Sequence, residues 1–395
     1  MPWKSGTIMD CRLEFVRCAE QGDVAMAELC RRFGISRQTG YEYLRRFRAE
    51  GIEGLKDRSS RPHSSPQRTA SAMETQLVEL RDDHPAWGGR KLARRLKDLG
   101  ITGVPSASTV TEVLRRHGKL DPAEAAKHRA HERFERSAPN SLWQMDFKGH
   151  FPMDRGRCHP LTVLDDHSRY SIGIVACADE TEATVQKHLS NLFRRFGLPD
   201  EILADNGSPW GSSGAQGYTA LEVWLLRVGI RLHHGRPYHP QTQGKDERFH
   251  RTLKIEVLQM HRLADLAACQ QAFDRFRPIY NNERPHEGLA MAVPASRYRP
   301  SRIPFPERLA SPEYYQSDAI RRVHRDGAIT FQARRAKLPQ AFAGLDVALR
   351  PTATDGVWRV FFARFVIAEL DLRDRKAHHA TVRKVSEHMS GTSPV

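Results

Sequence analysis

The sequence predicts a multidomain chain: two small all-α units, then an α/β core with a mixed sheet, then a small all-β unit. Three observations predict it. Helical periodicity fills the first third, strands followed by alternating helices and strands occupy residues 139 to 300, and short, closely spaced strand patterns run from 317 to 376. A length of 395 residues suits several compact units, each burying its own core.

In the first unit, residues 8 to 56, Ala25, Leu29, Phe33 and Ile35 recur at near-helical spacing. Gly34 then breaks the helix, and Ser36 can cap a following helix that buries Leu44 and Phe47. The run from Ala27 to Thr39 resembles a helix-turn-helix, in which the start of the second helix reaches base edges in a major groove. Arg37, Gln38 and Tyr41 are the candidate readers. A plain helical hairpin with a charged outer face fits the same spacing.

Residues 57 to 68 are rich in Pro and Ser and read as a linker, in which Arg61 beside Pro62 suits a narrow minor groove as well as it suits a soluble spacer. From 69 to 119, Leu77 and Leu80, then Leu92, Leu96 and Leu99, then Val110, Val113 and Leu114 mark three helices. The last, starting near Ser108, suggests a second helix-turn-helix with Ser108 and Thr109 as DNA contacts. Residues 120 to 138 read as a charged helical connector.

The core pattern, 139 to 300, opens with strands around Asp146, over Leu161 to Asp165 and over Tyr170 to Cys177. A helix from Thr181 to Phe196 ends at Gly197. Strand Glu201 to Asp205, helix Tyr218 to Val228, strand Ile230 to His233 and a helix from about Thr242 follow. Three antiparallel strands and then strands alternating with helices describe a ribonuclease-H-like fold. Residues 317 to 376 hold five short strand patterns with an Asp355-Gly356 turn, for which a small SH3-like β-barrel is the simplest closure.

Lys and Arg outnumber Asp and Glu by 62 to 47, a net charge of +15 that points to a polyanionic partner. Six cysteines without a Cys-x-x-Cys pair encode neither a zinc ribbon nor a disulfide framework. No run of about 18 apolar residues occurs, so no membrane span is expected and the chain reads as cytoplasmic.

Asp146 lies mid-strand, Asp205 ends a second strand, and Glu247 sits in the first turns of a helix. Three converging carboxylates repel one another unless cations neutralise them, and oxygen-only donors suit Mg²⁺ or Mn²⁺ better than zinc. Two such ions fit in-line displacement at phosphorus.

Specific motifs accompany these carboxylates: Trp143-x-x-Asp146, Leu164-Asp165-Asp166-His167-Ser168-Arg169, Asp205-Asn206-Gly207, the run from His239 to Phe249, and Tyr280-Asn281-x-x-Arg284-Pro285-His286. With them, residues 139 to 300 resemble the integrase core of bacterial insertion-sequence transposases, a group similar to retroviral integrases. The resemblance implies that Asp146, Asp205 and Glu247 bind metal and catalyse DNA strand cleavage and transfer. It further implies binding of double-stranded DNA at the element ends and target, homo-oligomers on DNA and a nucleoid-associated location. A domesticated DNA-binding regulator lacking strand transfer is the alternative function.

Two features depart from the pattern. Residues 206 to 246 place 41 residues between Asp205 and Glu247, a few more than the family usually has, and Asp246 stands where relatives commonly carry an apolar residue. Asp246 projects about 100° from Glu247 on a helix and lies almost in line with Phe249, Leu253, Val257 and Met260, so the helical wheel leaves both open as the third ligand. The motif match favours Glu247. Asp165 and Asp166 read as turn caps, Arg284 to His286 as packing on the closing helix of the core, Arg251 as an ion-pair partner of Glu247, and Lys254 as a phosphate contact.

Overall fold

The computed structural model describes residues 7–58, 68–120, 135–211, 217–235, 244–374 and 378–385. Arg61, most of the linker and of the connector, and the His239-to-Gln243 part of the fourth motif lie outside the described residues. The chain divides into two compact units, Met1–Arg68 and Thr69–Val395.

The first unit holds three helices: α1 (Ile8–Gln21), α2 (Met26–Arg32) and α3 (Arg37–Glu50). Thr7 and Asp10 form a reciprocal capping box that starts α1, a helix the periodicity reading did not resolve. Ser36 caps α3 by accepting from Thr39 N–H at 3.1 Å, and Gly34 turns the chain at φ +64°. Phe15, Val16, Leu29, Cys30, Leu44 and Leu55 form the core. α3 can approach so closely because Gly40 has no side chain; a Cβ there would stand 2.6 Å from Cys30 Sγ and 2.8 Å from Phe15.

In the second unit, α4 (Ser71–Asp83), α5 (Gly89–Asp98) and α6 (Ala107–Arg116) enclose Leu77, Trp87, Leu92, Leu96, Val110, Val113 and Leu114. α6 begins directly after its cap Ser106, whose hydroxyl accepts from Thr109 N–H. Ile279 packs against this cluster, and Arg95 pairs with Glu283, so the three helices dock on the α/β core.

The core sheet comprises β1 (Trp143–Phe147), β2 (Phe151–Pro152), β3 (Arg157–Asp165), β4 (Ser171–Cys177), β5 (Glu201–Ala204) and β6 (Arg231–His234). Its main order is β4-β3-β1-β5-β6, antiparallel across β4, β3 and β1 and parallel across β1, β5 and β6. β2 pairs only with the start of β3. This is the mixed ribonuclease-H-like sheet that the sequence predicts.

Side chains alternate across β1. Trp143 and Met145 face one core with Val185, Leu189 and Phe193 of α7 (Glu182–Phe196) and Leu221 and Leu225 of α8 (Ala220–Arg227). On the other face, Leu164 and Ile174 pack with Phe249 and Leu253 of α9 (Gly244–Leu253) and with Phe273, Phe276 and Tyr280 of α10 (Leu266–Asn282). Helices therefore cover both faces, as a sheet with parallel strands requires.

Met260 corrects the expected buried stripe. Phe249, Leu253 and Val257 are buried, but Met260 is 46% exposed, because the wide π turn Lys254–Leu258 shifts the phase after α9 and ends the helix.

The C-terminal region corrects a second expectation. β7 (Ala319–Arg322), β10 (Asp346–Pro351), β11 (Val357–Phe362), β12 (Phe365–Asp371) and β13 (Thr381–Lys384) form an antiparallel sheet ordered β13-β12-β11-β10-β7, while β8 (Ala328–Phe331) and β9 (Arg334–Lys337) form a separate hairpin. Among the described residues no ladder joins β13 to β7, so the sheet is open rather than a closed barrel. Its core around Phe342, Val347, Val360 and Phe362 also takes in Val223 and Leu226 of α8.

Candidate active site

Asp146 occupies the middle of the central strand, opposite Thr162 of β3. Asp205 follows the last residue of the neighbouring parallel strand β5, and the parallel register of β1 with β5 carries both residues to the same end of the sheet. Burial, and next the negative charge of Asp205, raise the Asp146 pKa to about 7.

The turn after β5 fixes Asp205. Its Oδ1 accepts Gly207 N–H at 2.9 Å, and a Cβ on Gly207 would stand 3.3 Å from both carboxylate oxygens. His234 Nδ1 meets the Asp205 carbonyl at 2.8 Å from the adjacent strand, and Asn206 donates to Gly235 O at 2.7 Å. Trp210, fully buried, stacks on Phe147 and anchors the loop to the end of β1.

The third carboxylate position is on α9. Glu247 is exposed in the first turns of the helix, and among the described residues no three His, Cys, Asp or Glu side chains stand close enough together to hold one ion. Asp246 is buried beside Asp146; its Oδ1 lacks a hydrogen-bond partner, and burial and the charges of Asp146 and Asp166 hold its pKa well above the carboxylate range. The oxygen donors of Asp146 and Asp205 fit a hard divalent cation.

His250 and Thr162 were not singled out by the sequence. His250 Nε2 lies 2.7 Å from Thr162 Oγ1, Thr162 donates to Asp146 O at 3.0 Å, and His250 Nδ1 faces Asp146 Oδ2 at 3.8 Å. Burial keeps the ring neutral, with its pKa lowered to about 3. The Glu-x-x-His spacing from Glu247 was the available signal, since i and i+3 share a helix face.

Asp165 and Asp166 cap and pair, as expected of turn residues. Asp165 accepts from Ser168 N–H at 2.8 Å and from Asn140 N–H at 2.6 Å. Asp166 takes Gln144, the Arg136 N–H and the Lys245 ammonium. Arg284 and His286 are buried together at 2.8 Å over Tyr280, and Asn281 holds both backbone groups of Ser171.

Arg251 and Lys254 are exposed on α9 and just past it, and among the described residues no ion pair joins Arg251 to Glu247. Arg37, Gln38 and Tyr41 project from the start of α3, and Ser108 and Thr109 from the start of α6, all exposed. The Thr109 hydroxyl already contacts Ser106 Oγ at 2.9 Å.

A mixed sheet carrying two aspartates at neighbouring strands, together with helical DNA-reading modules, defines an enzyme of the integrase class. Comparison with known proteins agrees. Residues 136–240 and 228–294 match integrase core domains, 12–63 a helix-turn-helix domain, 39–114 a homeodomain-like domain, and 318–378 the C-terminal domain of the IS481 family transposases.

The 39.2 kDa protein of insertion element IS476 from Xanthomonas euvesicatoria is 28% identical over 67% of this chain and 75% of its own length. The 31.7 kDa protein of IS407 from Burkholderia multivorans is 27% identical over 40% of this chain, which spans 55% of that relative. The Gag-Pol polyprotein of baboon endogenous virus is 30% identical over 48% of this chain and 10% of the polyprotein. Among solved structures, the HTLV-2 integrase catalytic core in complex with magnesium covers 42% of this chain and 100% of its own, at 15% identity and TM-score 0.33.

The chain is thus similar to insertion-sequence transposases with an integrase-like core, and it binds DNA and catalyses its integration.

Proposed function

We propose that Asp146, Asp205 and Glu247 form a divalent-metal centre at which this chain cuts and joins DNA strands, while residues 1 to 119 hold terminal inverted repeats. The supporting observation is the meeting of Asp146 and Asp205 at adjacent strands, close enough that one charge raises the proton affinity of the other. Two Mg²⁺ or Mn²⁺ ions fit their oxygen donors and would supply activation of the attacking hydroxyl and neutralisation of charge at phosphorus.

The chain's own groups position the centre. Gly207 N–H holds Asp205, the β1 ladder holds Asp146, and a change of side-chain rotamer brings the exposed Glu247 inward. Arg251 and Lys254 meet phosphates beside the centre, and the exposed starts of α3 and α6 read bases, with Arg61 in a minor groove. Pairing two element ends and a target requires a homo-oligomer on DNA.

Asp246 is a second reading for the third carboxylate, favoured by its burial beside Asp146 and its unpartnered oxygen. The test of the centre is joining of labelled element ends to target DNA by the full chain. Asp146→Asn and Asp205→Asn should each stop joining and leave end binding intact; joining that persists in either variant overturns the assignment, and a DNA-binding regulator would join nothing in any form.

A further inference from the structure

We infer that the docking of α5 on the end of α10, through Arg95 and Glu283, acts as a ruler: it holds α6 at a fixed offset from the carboxylate centre, so that the base pairs α6 reads select which phosphodiester is cut. The inference rests on the reading of α6 as a DNA contact and of Asp146 and Asp205 as the centre. Arg95 and Glu283 are positioning residues in it.

The offset is built from α6 inwards. Gly89, at the start of α5, has no side chain, and a Cβ there would stand 2.4 Å from Thr111 Oγ1 and 2.8 Å from Ala107 O. α6 therefore lies directly against the start of α5, while Ser108 and Thr109 stay exposed. One turn and two turns further along α5, Lys91 and Arg95 meet the core: Lys91 Nζ lies 3.8 Å from Glu287 Oε1, and Arg95 pairs with Glu283. Ile279 of α10 packs against the apolar cluster of the reading unit between them.

Glu256 carries this seam on towards the centre. It is 8% exposed and lies among the charges of Lys91 and Arg81 from the reading unit and Arg284 from the core. It follows Glu247 by nine residues along α9 and the π turn that continues it, a span of about 13 Å. One helical rod thus has Asp246 and Glu247 at its start and a seam residue at its end. Phe249 and Leu253 bury the rod against the sheet, so it cannot slide without opening the core.

Magnitudes decide whether such a seam can measure DNA. Successive phosphates of one strand advance about 3.4 Å along a duplex, so choosing one bond requires the offset to hold within about that distance. A flexible tether of about ten residues spans about 17 Å, or about five base pairs, and would choose none. A close-packed apolar contact flanked by two ion pairs holds side chains far more tightly than one base-pair step.

The test is cutting of an end-labelled element end by the full chain, with the cut read at nucleotide resolution. Two base pairs are inserted between the segment the chain protects from hydroxyl radicals and the tip of the element. The wild-type cut should follow the protected segment and fall two nucleotides inside the new tip; this arm needs no substitution in the chain. Arg95→Glu and Glu283→Arg should each spread the cut over several neighbouring positions while weakening end binding less than about tenfold. The double variant, which restores the pair with its charges exchanged, should return the cut to one position. A purely structural role would lower the amount of cutting without moving it. A wild-type cut that stays at the tip of the lengthened element, or single variants that cut only at the wild-type position, overturns this inference and leaves the carboxylate centre standing. No cutting by the wild-type chain overturns the centre and the inference with it.

Discussion

Lys245, in the first turn of α9, inserts its ammonium against Asp166 just beyond β3, with Nζ also 3.3 Å from the Asp166 carbonyl. The Asp166 side chain is fully buried and accepts Gln144 Nε2 at 2.7 Å and Arg136 N–H at 2.8 Å. The helix that carries Asp246 and Glu247 is thereby tied to the sheet that carries Asp146. Removing one partner of a buried pair strands the other, so Lys245→Met should lower stability by about 3 kcal/mol. Urea unfolding measures this, and Asp166→Asn added to Lys245→Met should restore part of the loss.

Glu247 and Asp246 make opposite predictions. Glu247→Gln should abolish joining, and Asp246→Val should retain it and gain stability, because a buried carboxylate with an unpartnered oxygen is replaced by an apolar group. Strand-transfer assays on both variants decide it, the reverse pattern making Asp246 the third ligand.

Loss of Asp146 or Asp205 should cost several orders of magnitude in joining, each tenfold being about 1.4 kcal/mol of barrier. Excess EDTA should match that loss in the wild-type chain. Undiminished joining in EDTA contradicts a metal centre.

DNA binding should fall steeply with salt as Lys and Arg contacts release counterions from phosphates. Deleting residues 1 to 68 should weaken binding to an element end and reduce its preference over scrambled DNA, while leaving a residual affinity through α6. Filter binding or anisotropy at two salt concentrations checks both.

Glu256 sets a pH dependence. It is buried beside Arg284 and Lys91, and burial outweighs both cations to raise its pKa to about 7. A raised folded-state pKa contributes stability that is fully present below the ordinary value of 4.5 and is lost as pH rises through about 7. Glu256→Gln should remove this slope, gaining about 2 kcal/mol on wild type between pH 5 and pH 8 in urea unfolding.

The candidate carboxylates were legible because they sit in local patterns. Asp146 interrupts an alternating strand and Asp205 precedes an Asn-Gly turn, signals that need no tertiary information. α1 was legible as well, though the periodicity reading passed over it: Met9, Leu13, Val16 and Ala19 pack at helical spacing, and Thr7-x-x-Asp10 spells its capping box. Barrel closure was illegible: each strand is written locally, but closure depends on tilt and stagger among all of them. The His250–Thr162 bond joins residues 88 apart, and no local spacing encodes which strand residue a helix meets.

The alternation of β1 has a consequence for how this enzyme can be silenced. Asp146 belongs to an interior strand and Asp205 directly follows another, whose amides should exchange with solvent only on global opening, whereas Glu247 rides on the first turns of a helix, where opening is more local. The proposed trio would therefore straddle two layers of protection against exchange. If Glu247 is the third ligand, releasing Lys245 from Asp166 and opening that one turn would disarm the chemistry while the sheet and its two aspartates stay folded, so the chain could rest inactive without unfolding.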